Sequence, residues 1–249
     1  MPTSILRAVI FDLGGTLMYE RDAAYSVNAR GDEALTIYLQ EQGLELNLST
    51  FPVEFRRRLE EYFKQREKDL LETAYVFVLR DILTNKGYAE VSDQILREAL
   101  DRLFAVTQTN WILEEDALQT LKKIGEDGYR IGLLSNAGDD QDVQQLLRKF
   151  GIGRFFDFAL TSAACGYRKP HAHIFELALS NWRFLPSETV MIGDNLNADI
   201  HGAKNAGLRA IWIKRRADSR EASQPQSSPD AVVSTLAEIP AALDRLQVR

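Results

Sequence analysis

Apolar residues follow two regimes along the chain. From Ile5 to Phe11 they form one short, β-branched run that ends on Asp12, and this reads as a buried strand. From about Asp22 the spacing becomes helical. Ala34, Leu35, Tyr38 and Leu39 recur at three- and four-residue intervals, and Gly43 stands where such a helix stops. Phe51-Pro52 opens a second helix carrying Phe55, Leu59, Tyr62 and Phe63. Leu71 to Leu83 and Ile95 to Phe104 give two more, with Gly87 closing the third and Ser92 suited to cap the fourth. No strand pattern interrupts this block.

Beyond it, strand and helix alternate. Helices are expected over Ala117 to Ile124, Val143 to Phe150, Ile174 to Ser180 and Asp199 to Ala206, with Gly128, Gly151 and Gly207 as stops. Strands are expected over Arg130 to Leu134, Phe156 to Leu160, Val190 to Ile192 and Ala210 to Ile213. Asp218 to Pro229 is polar and reads as a loop, and Ala231 to Val233 is a last strand before a helix reaching about Leu246. Regular alternation predicts an α/β fold: a Rossmann-like three-layer core with a parallel sheet. The all-helical block is then an insertion. The expected division is 1–18 core, 19–109 helical module and 110–249 the rest of the core. The module emerges beside Asp12, where it is placed to close over a site as a lid.

Composition narrows the function. The chain has 249 residues, 45% hydrophobic and 27% charged, with net charge −6 and no basic block, which argues against nucleic acid as a partner. No apolar run approaches membrane-spanning length, so no membrane partner is expected. Cys165 is the single cysteine, which excludes an internal disulfide and fits a reducing cytoplasm. A monomer or homodimer is expected.

The chemistry gathers at strand ends. Asp12, Ser135-Asn136 and Asp194-Asn195 each follow an apolar run, and Arg168-Lys169-Pro170 lies in a loop between elements. In open α/β sheets that carboxyl edge is where ligands bind. Two acids suit a hard cation such as Mg²⁺, a lysine and a hydroxyl can hold phosphate oxygens, and a carboxylate can serve as a covalent nucleophile.

Four segments in order resemble the haloacid dehalogenase-like (HAD) superfamily over nearly the whole chain: FDLGGTL at 11–17, IGLLSN at 131–136, Lys169 within GYRKP, and IGDNLNAD at 192–199. The helical insertion resembles that family's C1 cap. The resemblance implies a phosphorylated small-molecule substrate, with Asp12 as nucleophile and Mg²⁺ held by Asp12, Asp194 and the Gly14 carbonyl. It implies that Ser135 and Lys169 hold the phosphoryl group and that Asp199 orients Lys169 or metal-bound water. The Leu13 and Asn136 amides would help cradle phosphate, with Thr16 beside them.

Gly14 departs from the pattern. Phosphatases of the family usually carry a second aspartate there, which protonates the leaving group and activates water. Losing such a group removes about 10²–10⁴ in rate, roughly 3–5 kcal/mol. Tyr19, Glu20 and Asp22 are the nearest replacements by sequence. Two other readings stay open. One is a metal-independent dehalogenase-type hydrolase; the other is a catalytically impaired protein that binds a phospho-ligand or partner.

Other features read as structural. His171, His173 and His201 have no metal-binding pattern, and Cys165 reads as a small apolar residue. The Arg56-Arg57-Arg58 run reads as a solvated helix face, and Tyr62, Tyr75 and Phe77 as the core of the helical module.

Overall fold

The computed structural model describes residues 5–22, 24–217 and 228–247. Most of the polar stretch from Asp218 to Pro229 lies outside the described residues. Six parallel strands form the main sheet in the order β5 (Phe158–Thr161), β4 (Arg130–Ser135), β1 (Ala8–Phe11), β6 (Thr189–Gly193), β7 (Arg209–Ile213) and β8 (Ala231–Val233). β1 is central and wholly buried. Its run is apolar throughout because both sheet faces are covered. Val9 and Phe11 face the cluster holding α5 (Ala117–Glu126), α6 (Asp140–Lys149) and α10 (Ile239–Gln247). Ala8 and Ile10 face α8 (Ala172–Leu179), which follows the single-turn α7 (Ser162–Cys165), and α9 (Gly202–Asn205). The alternating set of one strand thus feeds two cores, giving three layers. Chain order reverses about β1, since β4 and β5 lie to one side of it and β6 to β8 to the other. The crevice beyond the carboxyl ends of β1, β4 and β6 is therefore the switch point where ligands bind in such sheets.

The inserted helices are α1 (Ala24–Glu41), α2 (Phe51–Asp69), α3 (Tyr75–Asn85) and α4 (Asp93–Thr107). They bury their own apolar cluster, with Leu35, Phe55, Leu79 and Leu100 at its centre. Ser92 caps α4, its side chain accepting from the Ile95 amide at 3.3 Å. No helix among the described residues is long and apolar enough to cross a membrane.

Three differences from the sequence reading matter for the site. The helical block is flanked by a two-stranded antiparallel ribbon, β2 (Met18–Glu20) with β3 (Trp111–Leu113), pairing Met18 with Leu113 and Glu20 with Trp111. Each strand is too short for a periodicity signal, and its partner lies at the far end of the insertion. The third helix begins at Tyr75, not Leu71, because α2 ends on a left-handed Leu70 and the chain after it runs against 166–168. There Leu71 bridges Tyr167, and the Arg168 amide donates to the Leu70 carbonyl at 2.9 Å. The helix expected from Asp199 opens earlier, as a wide π turn over Leu196–His201. In it the Asn195 carbonyl accepts from both the Asp199 amide (3.0 Å) and the Ile200 amide (3.3 Å).

Side chains read as structural divide as well. Phe77 is 62% exposed rather than part of the helical core. Arg56 is not a solvated charge. It makes a bidentate pair with buried Asp32 at 2.8 and 2.7 Å, whereas Arg57 and Arg58 form exposed pairs.

Leu79 is fully buried among helices of the insertion. Leu79→Ala is expected to cost about 2–5 kcal/mol, read as a lowered urea midpoint for the helical block. A loss below about 1 kcal/mol would contradict the packing.

Candidate active site

β1 is held against β6 through its last residue and beyond, with the Asp12 amide donating to the Ile192 carbonyl at 2.9 Å. Asp12 is therefore delivered to the sheet edge by pairing on both sides of its strand. The chain then turns tightly. The Leu17 and Met18 amides both donate to the Leu13 carbonyl, at 2.9 and 3.0 Å. Gly15 has φ of +84°, and a Cβ there would sit 2.3 Å from the Asp194 carboxylate. Only glycine meets both demands.

Lys169 is buried, and its ammonium is fully subscribed. Nζ donates to Asp12 Oδ1 at 2.6 Å and to the Leu134 carbonyl at 2.7 Å, and lies 2.6 Å from Asp199 Oδ1. Burial pushes its pKa down, but the charges and hydrogen bonds of Asp12 and Asp199 outweigh that and raise it. Asn136 fixes the lysine's backbone. Its Oδ1 accepts from the Lys169 amide at 2.8 Å and its Nδ2 donates to the Lys169 carbonyl at 2.9 Å. Asp199 is turned inward by the π turn and accepts from the Asn195 amide at 3.0 Å. Burial raises its pKa, against the pull of Lys169.

Asp194 has no cationic partner of its own among the described residues. Its Oδ1 takes a long 3.4 Å hydrogen bond from the buried Thr16 hydroxyl, and its backbone carbonyl accepts from Trp212 Nε1 at 2.9 Å. Burial, then the charges of Asp12 and Asp199, push its carboxyl up to about 7. Carboxylate oxygens of Asp12, Asp194 and Asp199 lie within 4.8 Å of one another. Three acids against one ammonium leave negative charge that oxygen-ligated Mg²⁺ is suited to offset, so the donor set fits such an ion.

A cavity of about 430 Å³ opens from these groups. Asp12, Leu13, Gly14, Ser135, Asn136, Lys169, Asp194 and Asp199 all line it, whereas Thr16 stands behind Asp194, outside the lining. The far wall comes from the insertion and its stem: Tyr75, Phe104 and Trp111. Tyr75 and Phe104 stack with centroids 6.0 Å apart. Tyr75, read from sequence as core, thus also faces the site.

Trp111 bears on position 14. A Cβ at Gly14 would lie 3.1 Å from its Cη2, so a side chain there would crowd the indole, which would have to give by a few tenths of an ångström. Tyr19, Glu20 and Asp22 do not line the cavity. Tyr19 lies under the Arg216 guanidinium at 3.7 Å, and Asp22 is engaged through its backbone by Asn110. The acids on the wall are Asp139 and Asp142, at the start of α6. Sequence reading passed over them, because acids in a first helical turn look like capping. Asp139 does cap α6 and also pairs with Arg97 at 2.7 Å. Asp142 accepts from Gln108 Nε2 at 2.8 Å, has no ion-pair partner among the described residues, and is pushed up to about 6, chiefly by burial.

A three-layer α/β fold with an acid after its central strand and a buried lysine between two carboxylates defines a class. The haloacid dehalogenase-like hydrolase profile matches residues 6–207, and the chain belongs to that family. It is 30% identical over 129 residues to a glyceraldehyde 3-phosphate phosphatase of Pyrococcus furiosus, covering 52% of this chain and 53% of that one. It is 31% identical over 162 residues to a phosphoserine phosphatase of Thermus thermophilus, covering 65% and 62%. The match thus spans about half to under two thirds of the length of those two relatives. A ribulose-1,5-bisphosphate 5-phosphatase of Halopiger xanaduensis is 28% identical, over 90% of this chain and 89% of that one. Among solved structures, the fold is shared with a HAD phosphatase from Thermococcus onnurineus (22% identity, TM-score 0.64, covering 96% and 98%). It is also shared with a 2-haloacid dehalogenase from Pseudomonas syringae (24% identity, TM-score 0.71, covering 97% and 99%).

The Asp194 shift has a consequence for stability. Its carboxyl is raised from an ordinary 3.8 to about 7, so the folded state holds a proton that the unfolded chain has lost. The contribution is present below the unfolded value and is lost as pH rises through the folded one. In excess chelator, the protein is expected to be more stable at about pH 5 than at about pH 7.5. Asp194→Asn should reduce that difference and stabilise the protein at the higher pH by at least about 1.4 kcal/mol, one pKa unit. Thermal unfolding at the two pH values checks this; an unchanged difference in the variant contradicts it.

Proposed function

We propose that the protein is a magnesium-dependent phosphatase of a small phosphorylated metabolite, working through an aspartyl-phosphate on Asp12. The observation that carries this is the grouping of Asp12, Asp194 and Asp199 around the single ammonium of Lys169 at the sheet's carboxyl edge. A site for halide release needs no such excess of acid, and the phosphatase names of the sequence relatives point the same way. Asp12, Asp194 and the Gly14 carbonyl would hold Mg²⁺. When bound, the ion supplies positive charge that draws the phosphate into the site and lowers repulsion between it and Asp12.

In this reading, Lys169 holds the Asp12 carboxylate in place through its 2.6 Å hydrogen bond, and Asp199 holds Lys169. Ser135 and the Leu13 and Asn136 amides receive phosphoryl oxygens. An Asp12 carboxylate oxygen forms a bond to phosphorus as the ester O–P bond breaks, and the leaving oxygen takes the electron pair. Water then attacks phosphorus, the bond from the Asp12 oxygen to phosphorus breaks with its electron pair returning to the carboxylate, and the water's proton leaves with the released phosphate or to solvent. Residues 19–109 act as a cap on the stem formed by β2 and β3, and their aromatic side chains enclose the leaving group.

With glycine at position 14 and the Trp111 indole over it, no acid stands there to protonate the leaving oxygen. The enzyme therefore favours substrates whose leaving group departs unprotonated, such as acyl, anomeric or aryl phosphates.

Phosphate release from an aryl phosphate is expected to stop with Asp12→Asn, to stop in excess chelator, and to return with Mg²⁺. Halide release from a haloacid that persists in chelator would replace this reading with the dehalogenase one.

A second expectation concerns position 14. Gly14→Asp alone should gain little on alkyl phosphates, because Trp111 obstructs the new side chain. Gly14→Asp with Trp111→Ala should raise alkyl phosphate turnover by about 10-fold or more. Alkyl phosphates turned over by the parent as well as aryl ones would refute the leaving-group argument.

A further inference from the structure

Glu72 lies in the extended segment between α2 and α3 and is no part of the site described above. Its side chain is nonetheless wholly buried. Four donors converge on the carboxylate. From the inserted block, Tyr62 Oη and Arg66 Nη1 each reach Oε1 at 3.1 Å. From the sheet side, Ser162 Oγ donates to Oε2 at 2.7 Å, and the Arg168 guanidinium pairs with the same oxygen. Backbone bonds bracket the contact. The Glu72 amide donates to the Gly166 carbonyl, and the Arg168 amide to the Leu70 carbonyl, both at 2.9 Å.

Both partners on the sheet side adjoin the reacting groups. Arg168 immediately precedes Lys169. Ser162 Oγ accepts from the Ala137 amide at 3.0 Å, one residue after Asn136, whose side chain clamps the Lys169 backbone. A single carboxylate therefore ties the insertion to the two loops that carry the phosphate-facing groups. Among the described residues neither Arg66 nor Arg168 has another acidic partner. Loss of the Glu72 charge strands two half-buried guanidiniums, and breaking a buried pair in this way is strongly destabilising to the docked arrangement.

We propose that Glu72 is a positioning residue. It docks residues 70–75 onto 162–168, and this docking sets the backbone of Asn136 and Lys169, so Lys169 is seated on Asp12 only when the insertion is down. The proposal rests on the reading of Asp12 and Lys169 given above. Misplacing a reacting group by about 1 Å can cost about 10²-fold in rate, so a residue far from the phosphate can act on kcat.

The test compares the parent, Glu72→Gln, Ser162→Ala and the double variant, all in the full chain. Hydrogen exchange is followed over 70–75, 134–138 and 166–170, alongside steady-state kinetics on an aryl phosphate. Glu72→Gln is expected to speed exchange in all three segments while α1 and α4 keep their protection. It should lower kcat at least about tenfold with a smaller change in KM. Ser162→Ala, which removes no charge and serves if Glu72→Gln does not fold, should speed exchange over 134–138 and 166–170 and lower kcat less. The double variant should be no slower than Glu72→Gln alone. Faster exchange confined to 70–75, an unchanged kcat, or losses that multiply in the double variant would overturn the proposal. A parent that releases no phosphate refutes the phosphatase reading instead, and the exchange arm still decides the role of Glu72.

Discussion

The site depends on one buried ammonium. Lys169 Nζ is held by Asp12, Asp199 and the Leu134 carbonyl at 2.6 to 2.7 Å, and every other polar feature nearby is arranged around that group. Desolvating a lysine is costly unless it is paired, and two carboxylates more than meet the need, as its raised pKa shows. The surplus is the functional point. Asp194 shares the same small space, with a long hydrogen bond to Thr16 as its side-chain support, and burial together with its acidic neighbours pushes it up to about 7. The protein folds with this frustration in place because the sheet leaves no alternative. β1 and β6 are adjacent parallel strands, and both end in an acid at the same edge. The crowding of acids at this edge is thus a consequence of strand order.

That same edge explains which parts of the molecule were legible in the sequence. Asp12, Ser135 and Asp194 follow apolar runs, so the strand pattern alone places them together once a parallel sheet is inferred. Lys169 follows no apolar run; its residue type in an inter-element loop marked it as a candidate, and its pairing with Asp12 came only with the resemblance to a known motif. Core helices and strands were legible because a two-sided core demands continuous apolar runs and glycine stops. The ribbon of β2 and β3 was not, since its strands are three residues long and pair across the whole insertion. Glu72 was not legible for a related reason. Its hydrogen-bond partners Ser162 and Arg168 lie 90 and 96 residues away, and one glutamate in a charged helical stretch carries no periodic signal.

The contact through Glu72 and the contact through Trp111 join the insertion to the sheet in different ways. Glu72 does so by charge and hydrogen bonds, which form or break as a unit and are directional. Trp111 does so by packing, from the stem. One holds the loop behind Lys169, and the other closes the cavity over Gly14. The insertion thus meets the sheet through its helices at Glu72 and through its stem at Trp111.

Gly14 and Trp111 amount to one constraint seen from two sides. Trp111 faces position 14 because β3 pairs with β2 in a single register, Glu20 opposite Trp111 and Met18 opposite Leu113. A slip of one residue would turn the indole to the other face of the ribbon. Met18 is itself tied into the nucleophile turn, receiving the Gly15 amide on its carbonyl at 2.7 Å. The turn that presents Asp12 thus fixes the ribbon, the ribbon fixes the indole, and the indole occupies the space beside the Gly14 backbone. A side chain at position 14 would therefore press on the stem of the insertion, whose indole would have to give by a few tenths of an ångström.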